Sequence, residues 1–173
     1  KKIKFLKLPS ILLRISPIFV ISVLGILIYS NTLEIPFQFD DNHFVVNNPT
    51  IRNLSDVGQI WKGVLPQRSR FVAFYTFAIN YHFSKLNSFG YHSTNIAIHI
   101  ISAFMVYWLA GLLISSPAVK DRKLIKYKEM ISLFAGLIFV AHPVQTQAIT
   151  YVTQRFASLA AMFYLLSICL YLC

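Results

Sequence analysis

The chain has 173 residues, 56% of them hydrophobic and only 13% charged, against about 25% charged in ordinary soluble domains. Its mean hydropathy is +0.60, which sets aside a soluble globular domain and makes an all-α integral membrane protein the expectation. The formal charge of +10 falls in clusters and not along one continuous surface, so it excludes a nucleic-acid stripe and reads as the loop bias that orients membrane spans.

In chain order, residues 1–10 form a basic N-terminus with Lys1, Lys2, Lys4 and Lys7. Residues 11–29 are the first expected transmembrane helix, with Arg14 able to snorkel and Pro17 placed to kink it. The run is too long for the apolar core of a cleaved leader and lacks a small-residue cleavage site, so it reads as an uncleaved anchor. Residues 30–91 form a long loop, nearly neutral, with five cations and four of the six acids between Asn31 and Tyr91. Within it Asn47-Asn48-Pro49 signals a turn. Leu54 to Trp61 reads as a short amphipathic helix with Ser55 as its N-cap. Arg70 to Phe83 carries an aromatic stripe of the kind that lies in a membrane interface.

A second helix is expected over residues 92–114 and a basic connector over 115–126. A third helix follows over 127–141, a polar turn over 142–155, and a fourth helix over 156–173. The chain starts with Lys and stops inside an apolar run, which reads as a truncated piece of a longer protein. Placing the N-terminus and the basic connector in the cytoplasm puts loop 30–91 and turn 142–155 together on the periplasmic or outer side. About four crossings satisfy this. There is no inverted repeat of the kind that marks transporters. Cys169 and Cys173 read as thiols facing lipid or core.

The sharpest chemical feature is Phe39-Asp40-Asp41-Asn42-His43. Adjacent carboxylates repel, and raising the pKa of one suits a proton acceptor. A solvated turn is the plainer reading, and oxygen ligation of a divalent metal with His43 is a third. His142-Pro143-Val144-Gln145-Thr146-Gln147, followed by Tyr151 and Gln154-Arg155, makes a polar turn between two apolar runs. A guanidinium at Arg155 matches a phosphate bidentately, and anchoring a helix end by snorkelling is the alternative. Arg68 and Arg70 read as phosphate contacts or as exposed loop charges. His92, Asn95 and His99 share one helix face at i, i+3 and i+7 and are expected to face the bundle interior. No Glu or Cys completes a zinc set with them.

Together, Phe39-Asp40-Asp41, Asn47-Asn48-Pro49, Thr76-Phe77-Ala78-Ile79-Asn80-Tyr81, Phe89-Gly90-Tyr91-His92 with Asn95 and His99, and His142 through Arg155 resemble a known family. They are similar to the N-terminal membrane region of bacterial tetratricopeptide-repeat membrane proteins. These in turn resemble the transmembrane and tetratricopeptide-repeat O-mannosyltransferases, of the GT-C glycosyltransferase fold. The resemblance covers about Ser30 to Cys173. It implies a GT-C-like helical bundle with a long first outer loop, in a bacterial inner membrane. It also implies a polyprenyl-phosphate-linked sugar as donor and an acceptor hydroxyl, on protein.

By that resemblance Asp40 or Asp41 is the base and Arg70, His142 and Arg155 hold the donor phosphate. His43, His92, Asn95, His99 and Gln147 support them. No cofactor is fixed, and a divalent metal stays open. The chain departs from the animal relatives at Gln145 and Gln147, where they tend to carry His and Glu, and at Arg70-Phe71, where many read Arg-Pro. The competing function is a non-catalytic membrane anchor for a downstream tetratricopeptide-repeat interaction domain.

Overall fold

A computed structural model describes residues 10–63, 70–117, 119 and 122–173. The described residues form helices and turns with no strand. The helices are α1 (Ser10–Tyr29), α2 (Val57–Gly63), α3 (Phe71–Ser84), α4 (Ser88–Ser115), α5 (Arg122–Lys126), α6 (Lys128–Ala141), α7 (Thr146–Thr150) and α8 (Arg155–Leu172). Among the described residues, two helical stretches are long and apolar enough to cross a membrane, Ser88–Ser115 and Val152–Leu172. The pair Lys128–Ala141 and Pro143–Thr150 makes a third if counted as one span bent by 48°, and Pro17–Thr32 is a shorter apolar helix.

The hub is α4, which packs against α1, α3, α6 and α8. Glycines let α1 approach this hub closely. A Cβ at Gly25 would sit 2.9 Å from the Ile100 side chain, and one at Gly136 would sit 2.8 Å from Ile21 Cδ1 and 3.2 Å from the Ala103 carbonyl. Small residues at such crossings are the usual means of close helix packing where no water drives association. Ile21, Ala103 and Val140 fill the layer these glycines open.

The loop between α1 and α4 is folded rather than extended. Asn48 Oδ1 accepts from the Thr50 N–H (2.9 Å) and hydroxyl (2.7 Å), with Pro49 opening the helical turn Pro49–Ile51. The helix expected over Leu54–Trp61 is α2, and its N-cap is Asp56, not Ser55. Asp56 Oδ1 accepts from the Gln59 N–H at 2.8 Å, while the Ser55 N–H is turned back to Asn53. Asp56 sits one residue nearer the apolar run, and an ionised cap also favours the positive helix end. Asp56→Ala should therefore lower stability by about 1 kcal/mol, read as a small fall in melting temperature in detergent.

The aromatic stripe of α3 does not lie flat on an interface. Phe74 and Phe77 are buried with Val45, Ile51, Ile60, Tyr91 and Val152 in one cluster, and Phe156 of α8 packs against it. Rings on α3 meet at T-shaped and tilted angles, Phe74–Phe77 at 6.1 Å and Phe74–Phe156 at 5.4 Å. Of the α3 rings only Phe83 is largely open, at 79% exposure. This cluster ties the loop to α4 near its N-terminus and to the start of α8, and the polar groups of interest sit around it.

Candidate functional site

The two aspartates part company. Asp41 is 1% exposed. Its Oδ1 accepts from the Thr153 N–H at 2.8 Å and its Oδ2 from the Gln38 N–H at 3.1 Å. The carboxylate thus closes its own turn and fastens it to the segment before α8. Asp40 is exposed. Its backbone N–H donates to the Tyr151 hydroxyl at 3.0 Å, while its carboxylate has no partner among the described residues. Phe39 between loop and cleft has φ 45°, a left-handed backbone that costs an aromatic residue about 1–3 kcal/mol. The two tethers, Tyr151 to Asp40 and Asp41 to Thr153, hold it there. The result turns Phe39 outward, 82% exposed and edge-on to Tyr151 at 6.1 Å.

Beside this turn lies a cleft of about 530 Å³, lined by Gln38, Phe39, Pro143, Val144, Thr146, Gln147, Thr150 and Tyr151. The polar turn over 142–155 forms its other wall. His142 ends α6, and its Nδ1 accepts from the Val144 N–H at 3.2 Å, capping the turn Pro143–Gln145. That bond uses one ring nitrogen on the backbone. Gln147 lines the cleft on α7.

Arg155 was expected at a helix mouth, open to a phosphate. The structure turns it inward, with 0% exposure. Its Nε donates to Asn95 Oδ1 at 2.7 Å, one terminal nitrogen to Asn80 Oδ1 (2.6 Å) and the Thr76 hydroxyl (3.2 Å), the other to the Tyr91 carbonyl (2.8 Å). Its guanidinium carbon lies 4.6 Å from the Phe77 ring centroid. The planar fork is thus shared among α3 and α4, which it joins to the start of α8. Thr76 and Asn80 were not among the expected site residues. They lie in the Thr76–Tyr81 motif that carries part of the resemblance, and their i, i+4 spacing puts them on one face of α3. Asn95 completes the knot, its Nδ2 reaching the Ile149 and Tyr151 carbonyls at 3.3 and 3.4 Å.

The face expected to look inward is buried at His92, Asn95 and His99. His92 Nε2–H donates to the Ile35 carbonyl at 2.9 Å, fixing the chain just before the aspartates, and its Nδ1 is buried without a partner. His99 lies deeper. It donates to the Val140 carbonyl at 3.2 Å and stacks on Phe139 at 5.2 Å, so it braces α4 against α6 away from the cleft. Arg70 is half-buried, 4.9 Å from the Phe156 centroid and 5.9 Å from that of Phe44. It caps a separate groove of about 280 Å³ lined by Val72, Ala73, Phe156, Leu159, Ala160 and Phe163. Arg68 lies outside the described residues. His43 is exposed and rests edge-on to Phe44 at 4.9 Å.

Divalent-cation binding at Asp40, Asp41 and His43 gains no support from this geometry. Both Asp41 oxygens are taken by backbone N–H groups, and among the described residues no three His, Cys, Asp or Glu side chains gather as metal ligands do. The structure therefore sets Gln147 in the cleft wall and puts Asp40 and Asp41 directly after Phe39, which lines that cleft, while His92, Asn95 and Arg155 are buried and bonded to the Ile35 carbonyl, the 149–151 segment and Asn95 in turn. It leaves His43, Arg70, His99 and His142 in other surroundings.

Fold and site define a helical membrane protein whose loop between α1 and α4 is locked onto its helices, with the exposed Asp40 carboxylate, unpartnered among the described residues, next to Phe39 at the edge of a cleft. In sequence it is similar to protein O-mannosyl-transferases of the TMTC family, the relation its motifs carry. It is 28% identical over 160 residues to Protein O-mannosyl-transferase TMTC4 of Homo sapiens, covering 86% of this chain and 22% of that protein. It is 29% identical over 158 residues to Protein O-mannosyl-transferase F38B6.6 of Caenorhabditis elegans, covering 86% and 22%. It is 26% identical over 161 residues to Protein O-mannosyl-transferase tmtc2 of Xenopus laevis, covering 87% and 18%. The chain thus spans about a fifth of the length of these curated relatives. No family model matches the chain, and no solved structure matches it.

Proposed function

We propose that this chain is the N-terminal part of a membrane glycosyltransferase of GT-C type, which moves a sugar, of the mannose class named for its relatives, from a polyprenyl-phosphate donor to an acceptor hydroxyl on protein. The observation that carries the reading is the split aspartate pair: Asp41 is spent on holding the loop, and Asp40 is exposed without a carboxylate partner among the described residues, next to Phe39, which lines a cleft of about 530 Å³.

In this mechanism the acceptor hydroxyl lies in the cleft against Phe39, Gln147 and Tyr151. The Asp40 carboxylate takes its proton as the oxygen attacks the sugar carbon. The sugar–phosphate bond breaks, and the polyprenyl phosphate leaves with the electron pair. Asp41 and Arg155 act through position. One sets the direction of Asp40, and the other joins the helices that support the cleft. Arg70, with aromatic rings on one side and an apolar groove below it, suits a lipid phosphate with its chain along α8. Four crossings would set loop 30–91 and turn 142–155 on the periplasmic side of a bacterial inner membrane, where donor and acceptor meet.

The test is transfer of labelled sugar to protein by the full-length enzyme in native membranes. Asp40→Asn keeps shape and removes the base, so the rate should fall by roughly 10²–10⁴-fold with the protein still inserted and with an unchanged melting temperature. A normal rate in this variant sinks the assignment. It would leave the anchor reading, which draws on how many polar motif residues (Asp41, Asn95, Arg155) are consumed in packing.

A further inference from the structure

A second polar site lies at the other end of α4. Tyr107, Trp108, Gly111 and Leu112 face Lys128, Glu129 and Ser132 of α6 across a cavity of about 160 Å³. Tyr107 is sixteen residues beyond Tyr91 on the same helix, roughly 24 Å along its axis, so this cavity is remote from Asp40.

Ser132 marks it as built to hold something. Other helical hydroxyls in this chain return to a carbonyl of the preceding turn, as the buried Ser102 does to Ile98 (2.9 Å) and the half-buried Thr94 to Gly90 (2.9 Å), the ordinary outcome for such residues. Ser132 is 1% exposed, yet its hydroxyl has no partner. An unbonded buried hydroxyl is costly. Gly111 opens the space in front of it: a Cβ there would touch Ser132 Oγ and Lys128 Cε, each at 3.4 Å. The Lys128 ammonium has no partner among the described residues. Glu129 uses Oε2 to accept from the Tyr107 hydroxyl at 2.6 Å, which fixes the carboxylate at the cavity wall.

The charge pattern selects the ligand. A cation and a hydroxyl stand beside a carboxylate and two aromatic rings, so a purely anionic group would meet Glu129, and a purely cationic one Lys128. We propose that the cavity binds the phosphoethanolamine headgroup of a zwitterionic phospholipid. Its phosphate takes the Lys128 and Ser132 donors, and its ammonium sits against Glu129 and the faces of Tyr107 and Trp108. Tyr107 and Trp108 lie in the C-terminal third of α4 and face α6, which follows the basic segment Arg122–Lys128, and tyrosine and tryptophan are favoured near the headgroup level. Exposed Met130, Phe134 and Leu113 next to the cavity give the acyl chains apolar surface. The volume equals that of roughly five waters, enough for such a headgroup and not for a bulky glycan.

The experiment is native mass spectrometry of the full-length protein released from nanodiscs holding equal phosphatidylethanolamine and phosphatidylglycerol. The wild-type protein should retain phosphatidylethanolamine about tenfold over phosphatidylglycerol. Glu129→Gln, which keeps an acceptor for Tyr107, should bring the two lipids near parity. Lys128→Gln should release both from this site. Wild-type retention of phosphatidylglycerol equal to or above phosphatidylethanolamine overturns the proposal, as does unchanged phosphatidylethanolamine retention in both variants. The wild-type comparison decides the matter even where a variant fails to fold.

Discussion

Arg155→Leu should destabilise the protein by about 3–5 kcal/mol, because it strips the donors from several buried acceptors at once. Three neutral acceptors and a backbone carbonyl converge on this guanidinium. Leucine would leave Asn80, Thr76, Asn95 and the Tyr91 carbonyl facing an apolar side chain at zero exposure, and each buried polar group without a partner costs about 1–3 kcal/mol. Arg155→Lys should rescue only part of the loss. A single ammonium cannot span Asn95, Asn80 and Tyr91 as the planar fork does, and it is more strongly hydrated. Thermal unfolding in detergent reads the order wild type, Lys, Leu. Equal melting temperatures for all three would mean that the buried knot does not hold α3, α4 and α8 together. An ordinary surface snorkelling arginine would give that result.

The second large effect separates the two aspartates. Asp41→Ala removes acceptors from the Thr153 and Gln38 N–H groups, and charge-assisted bonds of this kind are worth about 1.5–3 kcal/mol. It should lower the melting temperature and also lower transfer, because the turn carrying Asp40 is no longer fastened to the segment before α8. Asp41→Asn should fall between, since its amide presents a donor to one of two N–H groups that need an acceptor. Asp40→Asn is expected to do the opposite, cutting transfer with stability intact. The measurement is a pair of curves, melting and turnover, on the same preparations. If Asp40→Asn loses stability while Asp41→Ala loses only turnover, the roles assigned to the pair are reversed.

The adjacency of Asp40 and Asp41 was visible in the chain, but not which of them is free. Both lie in one short turn, and which of them is taken depends on a Thr153 N–H lying 112 residues away. The same holds for Arg155. Its position next to an apolar run suits a snorkelling residue, and nothing local distinguishes that from a guanidinium folded inward onto Asn95, 60 residues earlier. The α3 aromatics misled for a related reason: a ring-rich stripe satisfies a membrane interface and a protein core equally well, and only the arrival of Phe156 and Val45 against it decided for the core.

By itself the sequence determined the all-helical membrane class, the helix-making apolar runs, the turn at Asn48, the polar face of His92, Asn95 and His99, and the likeness to the O-mannosyl-transferases. These rest on composition, periodicity and short motifs, which act over a few residues. Tertiary structure alone decided the free carboxylate, the buried arginine knot, the cleft beside Phe39 and the cavity at Ser132. Each of these depends on which backbone or side-chain group from a distant segment satisfies a buried polar atom, a choice that local pattern does not encode.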